Sequence, residues 1–361
     1  MLGWDFTSAP TVPAPLVSIC VPNLNMRNFL RDRMESLIAQ TVKDWELILC
    51  DSYSNDGSWE LLQEYRGDPR IRLCQVARAG VFAGWNECLR RARGTYIYIA
   101  TSDDTSDPHF LEKLLEPLES GSQAEMSFCD FQTIDEVGRP VDHGIAKFKR
   151  QYFGNLLNRP ALWDGQAQFL LHLAFGTVWT TMAAVLFRRR LLDTVGLFRT
   201  DMGRMADFEW SLKASLASSS VFVPGKLVTW RIHDRQCTGL RPLHPSETSA
   251  VLNSVRHMAL HHPAIPAAWR DRPEWPELLL HRPLCDYFDS FRLYRGQLKR
   301  APLEFLANVV RCAVAEPKFL SAQISRGFKW SGDLSPVPND IADRLLTAFH
   351  PAWPPAPLQA G

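Results

Sequence analysis

Four consecutive polar residues, Thr101, Ser102, Asp103 and Asp104, follow the apolar run Tyr96 to Ala100. Two adjacent carboxylates at the carboxyl end of a buried strand are costly unless a cation shares their surroundings. In an open α/β sheet that rim is also where ligands bind, so the pair predicts a divalent metal carrying a phosphorylated ligand. Asp51 closes a second apolar run, WELILCD, and opens onto SYSNDGS, a turn rich in Ser, Asn, Asp and Gly. An Asx-turn that orders its own loop is the structural alternative for this carboxylate. Asp207 and Glu209 stand in MADFEWSLKA, where an acid either serves as a general base or suits the first turn of a helix. His233 follows the run KLVTWRI, and imidazole is a competent metal ligand once a partner fixes its other nitrogen.

Positioning such groups requires a rigid rim, and the hydrophobic periodicity supplies one. Leu16 to Val21 is a nearly continuous apolar run closed by Pro22, which suits a strand buried on both faces. Leu30, Met34, Leu37 and Ile38 recur at helical spacing. After the strand ending at Asp51 come a helix over Trp59 to Tyr65, a strand over Ile71 to Cys74, a helix around GWNECLRRA and a strand over Tyr96 to Ile99. The alternation predicts an α/β fold with a mostly parallel sheet and right-handed crossovers. Its loops after Val21, Cys50 and Ala100 then line one edge.

The order PLVSICVPNLN, LILCDSYSNDGSWELL and RAGVFAGWNECLRRARGTYIYIATSDDTSDPHFLEKLLEPL resembles the amino-terminal half of family 2 glycosyltransferases with the GT-A fold. VLFRRRLLDTVGLFRTDMGRMADFEWSLKASLASSSVFVPGKLVTWRIHDRQCTG is similar to the second half, ending in an arginine-x-histidine strand. The resemblance covers roughly Pro15 to Gly239 and implies a Rossmann-like sheet that binds a nucleoside diphosphate sugar. It implies that Asp51 accepts a hydrogen bond from the nucleotide base, that Pro22 and Asn25 lie beside base and ribose, and that Arg78 lies near the base or diphosphate. In TSDD, Ser102 and Asp103 would lie by the ribose and Asp104 would hold Mn²⁺ or Mg²⁺, with His233 as a further ligand or phosphate contact. Asp207 would be the general base of a single displacement that inverts the anomeric carbon. This chain departs from the usual pattern at Thr101 and Ala206, where many members carry acids. Trp179, Thr180 and Thr181 fall where acceptor and donor sugars would meet, although a tryptophan is equally a core residue.

The 361 residues, 46% hydrophobic, suffice for a full core and a smaller appendage. The expected organisation is an extension over 1–14, a GT-A domain over 15–240, a helical region over 241–350 and a flexible tail over 351–361. A formal charge of +1 gives no reason to expect nucleic acid as the main partner. Eight scattered cysteines without a CxxC pair read as buried thiols in a reducing compartment. The amino terminus lacks the pattern of a signal peptide and no uncharged run approaches a membrane span, so a cytoplasmic protein is expected. From 292 to 329, eight Lys/Arg stand against two Glu, interleaved with apolar residues. That stretch either packs on the protein or lies on an anionic membrane, where it would meet a lipid-linked acceptor. The partners expected are thus the donor and a glycan or lipid-linked acceptor. A nucleotidyltransferase would need a glycine-rich phosphate loop where this chain has PNLN, whereas a degenerate, non-catalytic sugar-nucleotide binder remains the alternative.

Overall fold

The computed structural model describes residues 13–142, 150–236, 245–272, 275, 310 and 337–358. Strand β1 (Val17–Asn23) lies between β2 (Trp45–Asp51) and β4 (Tyr96–Ile99), both parallel to it, and β3 (Ile71–Gln75) pairs in parallel with β2. These are the runs that lack polar alternation, and β1, β2 and β4 are almost wholly buried, as a sheet covered on both faces demands.

Beyond β4 the direction changes. Strand β7 (Val185–Arg188) is antiparallel to β4 and to β5 (Met126–Ile134), which pairs in parallel with β8 (Ser220–Arg231). Antiparallel β6 (Ala161–Trp163) follows, then the short β9 (Ala356–Pro357), and the order across the sheet is β3-β2-β1-β4-β7-β5-β8-β6-β9. The carboxyl ends of β1, β2, β4 and β8 therefore share one rim.

Helix α1 (Arg27–Ile38) buries Leu30, Met34 and Leu37 on one face of the sheet, as their spacing predicts, and α4 (Phe110–Glu119) packs beside it. On the opposite face α3 (Val81–Arg91), α5 (Gly165–Phe175) and α7 (Ala206–Ala217) share an aromatic-rich core. The short α2 (Ser58–Leu62) and α6 (Leu191–Val195) complete the crossovers. Cys20, Cys50, Cys88 and Cys129 are free and buried.

Helix α8 (Pro245–His261), the single turn α9 (Ala267–Arg270) and α10 (Val337–Phe349) form the described part of the carboxyl-terminal region. The stretch expected to be a flexible tail does not behave as one over its described length. Trp353 packs at 5.3 Å from Trp163, and β9 (Ala356–Pro357) pairs with β6. Burying an indole and satisfying a sheet edge outweigh the proline content that suggested a loose end. The basic stretch 292–329 lies outside the described residues apart from Val310, which is 53% exposed.

Candidate active site

Asp51 ends β2 fully buried. Its Oδ1 accepts from Asn23 Nδ2 at 2.7 Å and Ser54 Oγ at 2.5 Å, and its Oδ2 accepts from the Ser54 amide at 2.9 Å. The carboxylate thus orders its own loop, the Asx-type alternative, and locks that loop to the end of β1. Asn25 joins the same network: its amide donates to Ser54 Oγ at 2.8 Å and its Oδ1 accepts from Asn55 N at 2.9 Å, at a φ of 56°. Arg78 props the loop from outside, donating to the Tyr53 carbonyl at 2.7 Å and the Ser52 carbonyl at 3.3 Å. A Cβ at Gly84 would lie 3.8 Å from Pro22 and 3.6 Å from Ser52, ordinary contact distances that set α3 against both loops. Tyr53 itself has a φ of 50°, a left-handed conformation that costs a non-glycine residue about 1–2 kcal/mol.

Asp104 is 2% exposed. Its Oδ2 takes the Thr101 hydroxyl at 2.6 Å and its Oδ1 the Arg231 amide at 2.8 Å, which fastens the loop after β4 to the end of β8. Burial, and then the charge of Asp103, push its carboxyl up to about 7, against the opposing pull of Arg33. Asp103 faces the other way: its Oδ2 lies 3.0 Å from His233 Nε2. His233 Nδ1 accepts from the Arg235 amide at 3.2 Å, so in the neutral ring Nε2 carries the hydrogen and donates to Asp103. The Phe29 ring, 4.7 Å away, holds the imidazole from the side. Ser102 is buried between the two anchored ends of the turn.

A divalent metal fits one part of this arrangement. A carboxylate oxygen, on a side chain 18% exposed, and an imidazole nitrogen, on one 1% exposed, stand 3.0 Å apart and would serve as two ligands once Nε2 gives up the hydrogen it shares with Asp103. Among the described residues no group of three or more His, Cys, Asp or Glu could enclose a metal, so such an ion would complete its shell from substrate and water. Both Asp104 oxygens are engaged inside the protein, and the carboxylate that meets His233 belongs to Asp103.

Two arginines hold this turn: Arg33, absent from the sequence reading, and Arg231, the arginine of the arginine-x-histidine strand, to which that reading gave no role. Arg33 is fully buried and donates to the Thr101 carbonyl at 2.6 Å and Ser106 Oγ at 2.8 Å. Arg231, 3% exposed, donates to the Asp103 carbonyl at 2.7 Å and the Glu136 carbonyl at 3.0 Å. The signal for Arg33 was its place on the apolar face of α1, three residues after Leu30 and four before Leu37. Asn23 was also missed, and its Oδ1 is buried without a hydrogen-bond partner.

Asp207 lies half-buried in the first turn of α7, its Oδ1 accepting from the Phe208 amide at 2.8 Å. Glu209 is fully buried and pairs with Lys213 at 2.8 Å and Ser254 at 2.6 Å, which makes it a tie between α7 and α8. Trp179 is 2% exposed between His172 and Phe128, a core residue as its alternative reading held.

This rim lies at the carboxyl ends of mostly parallel strands, the edge at which open α/β sheets bind ligands. The family model for glycosyl transferase family 2 matches residues 18–188. An uncharacterized Mycobacterium tuberculosis protein, MT1568, is 30% identical over 238 residues, 63% of this chain and 71% of that protein. A Bacillus subtilis protein named as a teichuronic acid biosynthesis glycosyltransferase, TuaG, is 35% identical over 133 residues, 36% of this chain and 52% of its own length. The chain belongs to glycosyl transferase family 2, although it spans about half or less of the first curated relatives it matches. Among solved structures, Staphylococcus aureus TarS in complex with UDP-GlcNAc matches with a TM-score of 0.61 at 15% identity, over 85% of this chain and 81% of that one. The Pyrobaculum calidifontis mannosyltransferase PcManGT, in complex with GDP-Man and Mn²⁺, matches with a TM-score of 0.52 at 15% identity, over 96% and 90%. These likenesses establish the fold.

Proposed function

We propose that the protein transfers a sugar from a nucleoside diphosphate sugar, UDP-linked in the first instance, to an acceptor hydroxyl in glycan or polysaccharide assembly. The observation that carries the reading is the Asp103–His233 pair at 3.0 Å, on the same rim as the Asp51 loop. Neighbours of this fold bind UDP-GlcNAc, or GDP-Man with Mn²⁺, which supports a nucleotide sugar as donor.

Asp103 and His233 would hold Mn²⁺ or Mg²⁺, with Asp104 keeping the turn fastened rather than ligating. When bound, the ion supplies charge neutralisation for the diphosphate. Asp51, Asn25, Pro22 and Arg78 shape the cradle for base and ribose, and Ser102 and Asp103 lie at the turn where ribose and diphosphate would meet. Asp207 takes the proton of the acceptor hydroxyl as that oxygen bonds to the anomeric carbon. The bond from that carbon to the diphosphate oxygen breaks, and its electron pair leaves with the nucleoside diphosphate. Attack opposite the leaving group inverts the anomeric configuration. Ala206 leaves Asp207 without the neighbouring acid usual in the family, and Glu209 is tied to Lys213 and Ser254, so Asp207 carries the proton transfer.

Calorimetric titration with UDP tests the site, with and without Mn²⁺. Mn²⁺ is expected to tighten binding in the wild type, and Asp103→Asn or His233→Ala to abolish that gain. Equal affinity in both conditions for all proteins would contradict the metal assignment. A non-catalytic binder, the second reading, is favoured by Thr101 standing where an acid is usual; it predicts binding without release of nucleoside diphosphate from any donor.

A further inference from the structure

Two histidines stand one turn apart at the end of α8. His257 and His261 are both exposed, and their ring centroids lie 4.9 Å apart with the planes 50° from each other. Residues at i and i+4 share a helix face, which is what brings the two imidazoles together. The packing of α8 uses its other face, where Val251, Val255, Met258 and Ala259 are buried in the aromatic-rich core. Histidine is also a poorer helix former than alanine, so neither packing nor propensity accounts for this pair.

The helix fixes the two rings relative to each other. The His262 amide closes its last turn, donating to the Met258 carbonyl at 2.9 Å, and the Ser254 hydroxyl ties α8 to Glu209 of α7 at 2.6 Å. Two imidazoles at this spacing on one helix face are a preformed pair of metal ligands. The distance between them agrees. A late first-row ion sits about 2.0–2.1 Å from an imidazole nitrogen, hence ~3.2 Å from the ring centroid. Two such rings at a ligand angle of about 90–110° have centroids ~4.5–5.2 Å apart, a window that includes the observed 4.9 Å. His262 is engaged elsewhere, its Nδ1 accepting from the Ala264 amide at 3.2 Å. Among the described residues no group of three or more His, Cys, Asp or Glu could enclose an ion, so water would fill the remaining positions.

We propose that His257 and His261 form a site for a late first-row divalent ion, Cu²⁺, Ni²⁺ or Zn²⁺, which staples the last turn of α8. The site lies apart from the Asp103–His233 pair and does not rest on the donor reading. Two nitrogen ligands favour Cu²⁺, then Ni²⁺ and Zn²⁺, over Mn²⁺, and offer no oxygen to Mg²⁺. A rim site that includes a carboxylate suits Mn²⁺ or Mg²⁺ instead, so the choice of ion separates the two.

The test is calorimetric titration of the full chain, free of any histidine tag, with Ni²⁺ and with Mg²⁺ alone. His233→Ala serves as the background, so that the rim contributes no imidazole, and His257→Gln, His261→Gln and His262→Gln are added to it singly. Because both positions are exposed, His257→Gln and His261→Gln are expected to melt like the background when no metal is present. Each is expected to weaken Ni²⁺ binding by roughly tenfold or more, at least what loss of a ligand's supporting partner costs. His262→Gln is expected to keep the background affinity, and Mg²⁺ to give no saturable binding. Hydrogen exchange at amides 258–262 should slow when Ni²⁺ is bound to the background protein and not in His257→Gln. Unchanged Ni²⁺ affinity in either His257→Gln or His261→Gln overturns the two-imidazole site. An equal loss in His262→Gln overturns it as well, since the ligands would then be others. Ni²⁺ binding that leaves exchange at 258–262 unaltered overturns the staple.

Discussion

Asp103 and Asp104 are neighbours with opposite employment. Asp104 is consumed by the Thr101 hydroxyl and the Arg231 amide, and Asp103 is left to His233. Asp104→Asn removes a repelling charge but also an acceptor, so the turn should loosen, with melting lowered by about 1–3 kcal/mol equivalent and nucleotide affinity reduced whether or not Mn²⁺ is present. Asp103→Asn should instead leave melting nearly unchanged and remove only the Mn²⁺-dependent part of binding. Thermal melting beside titration separates the two. The sequence made the presence of this acidic turn plain, because carboxylates after a buried strand have few uses. It did not reveal which acid faces inward, since that depends on Arg231, 127 positions beyond Asp104, reaching back across the sheet. Thr101, which looks like the loss of an acid, proves to be the donor that holds Asp104.

At the scale of elements, two close approaches decide where the rim sits. A side chain at Gly165 would stand 2.1 Å from the Ser215 carbonyl, so α5 and α7 touch through that glycine. Gly165→Ala should push α7 outward at an overpacking cost of about 1–3 kcal/mol, lowering the melting temperature and, through Asp207, turnover. Glu46 pins the opposite end of the central strands. It accepts from Ser18 Oγ at 2.7 Å and the Arg93 amide at 2.8 Å, and pairs with Arg72 at 2.9 Å. Burial raises its carboxyl, but these hydrogen bonds and the Arg72 charge outweigh burial and hold it below the ordinary glutamate range. The folded state thus favours the ionised form. Its stabilisation is present above the unfolded glutamate value and is lost as pH falls through the lowered folded value. Glu46→Gln should flatten the acid limb of a melting-temperature profile, and an unchanged acid limb would count against this role. Strands β1 to β4 and their helices were legible because period and length agree over each run. The antiparallel insertion of β7 between β4 and β5 was not, because nothing local encodes which strand a short apolar run will pair with.

The whole molecule closes on itself through residues far apart in sequence. The Phe349 ring packs at an angle against Trp269 and edge-on against Trp275, and Trp353 packs edge-on against Trp163, so residues 349–353 cover the core beneath β6. Truncation after residue 350 should uncover Trp163 and the edge of β6 and lower the melting temperature. A truncated protein that melts like the full chain would show that this closure is dispensable. Proline-rich composition suggested a loose end; only the docked indole shows otherwise. Among the described residues no helix is long and apolar enough to cross a membrane. The central claim is that the rim transfers sugar rather than only binding a nucleotide, with Asp207 moving the proton. The most direct measurement is release of nucleoside diphosphate from a panel of sugar nucleotides in Mn²⁺ with candidate glycan acceptors, wild type against Asp207→Asn. The account predicts acceptor-dependent release in the wild type, reduced about 100-fold or more in Asp207→Asn, with donor affinity retained. Tight donor binding by both proteins and equal, acceptor-independent release, or none, would contradict it.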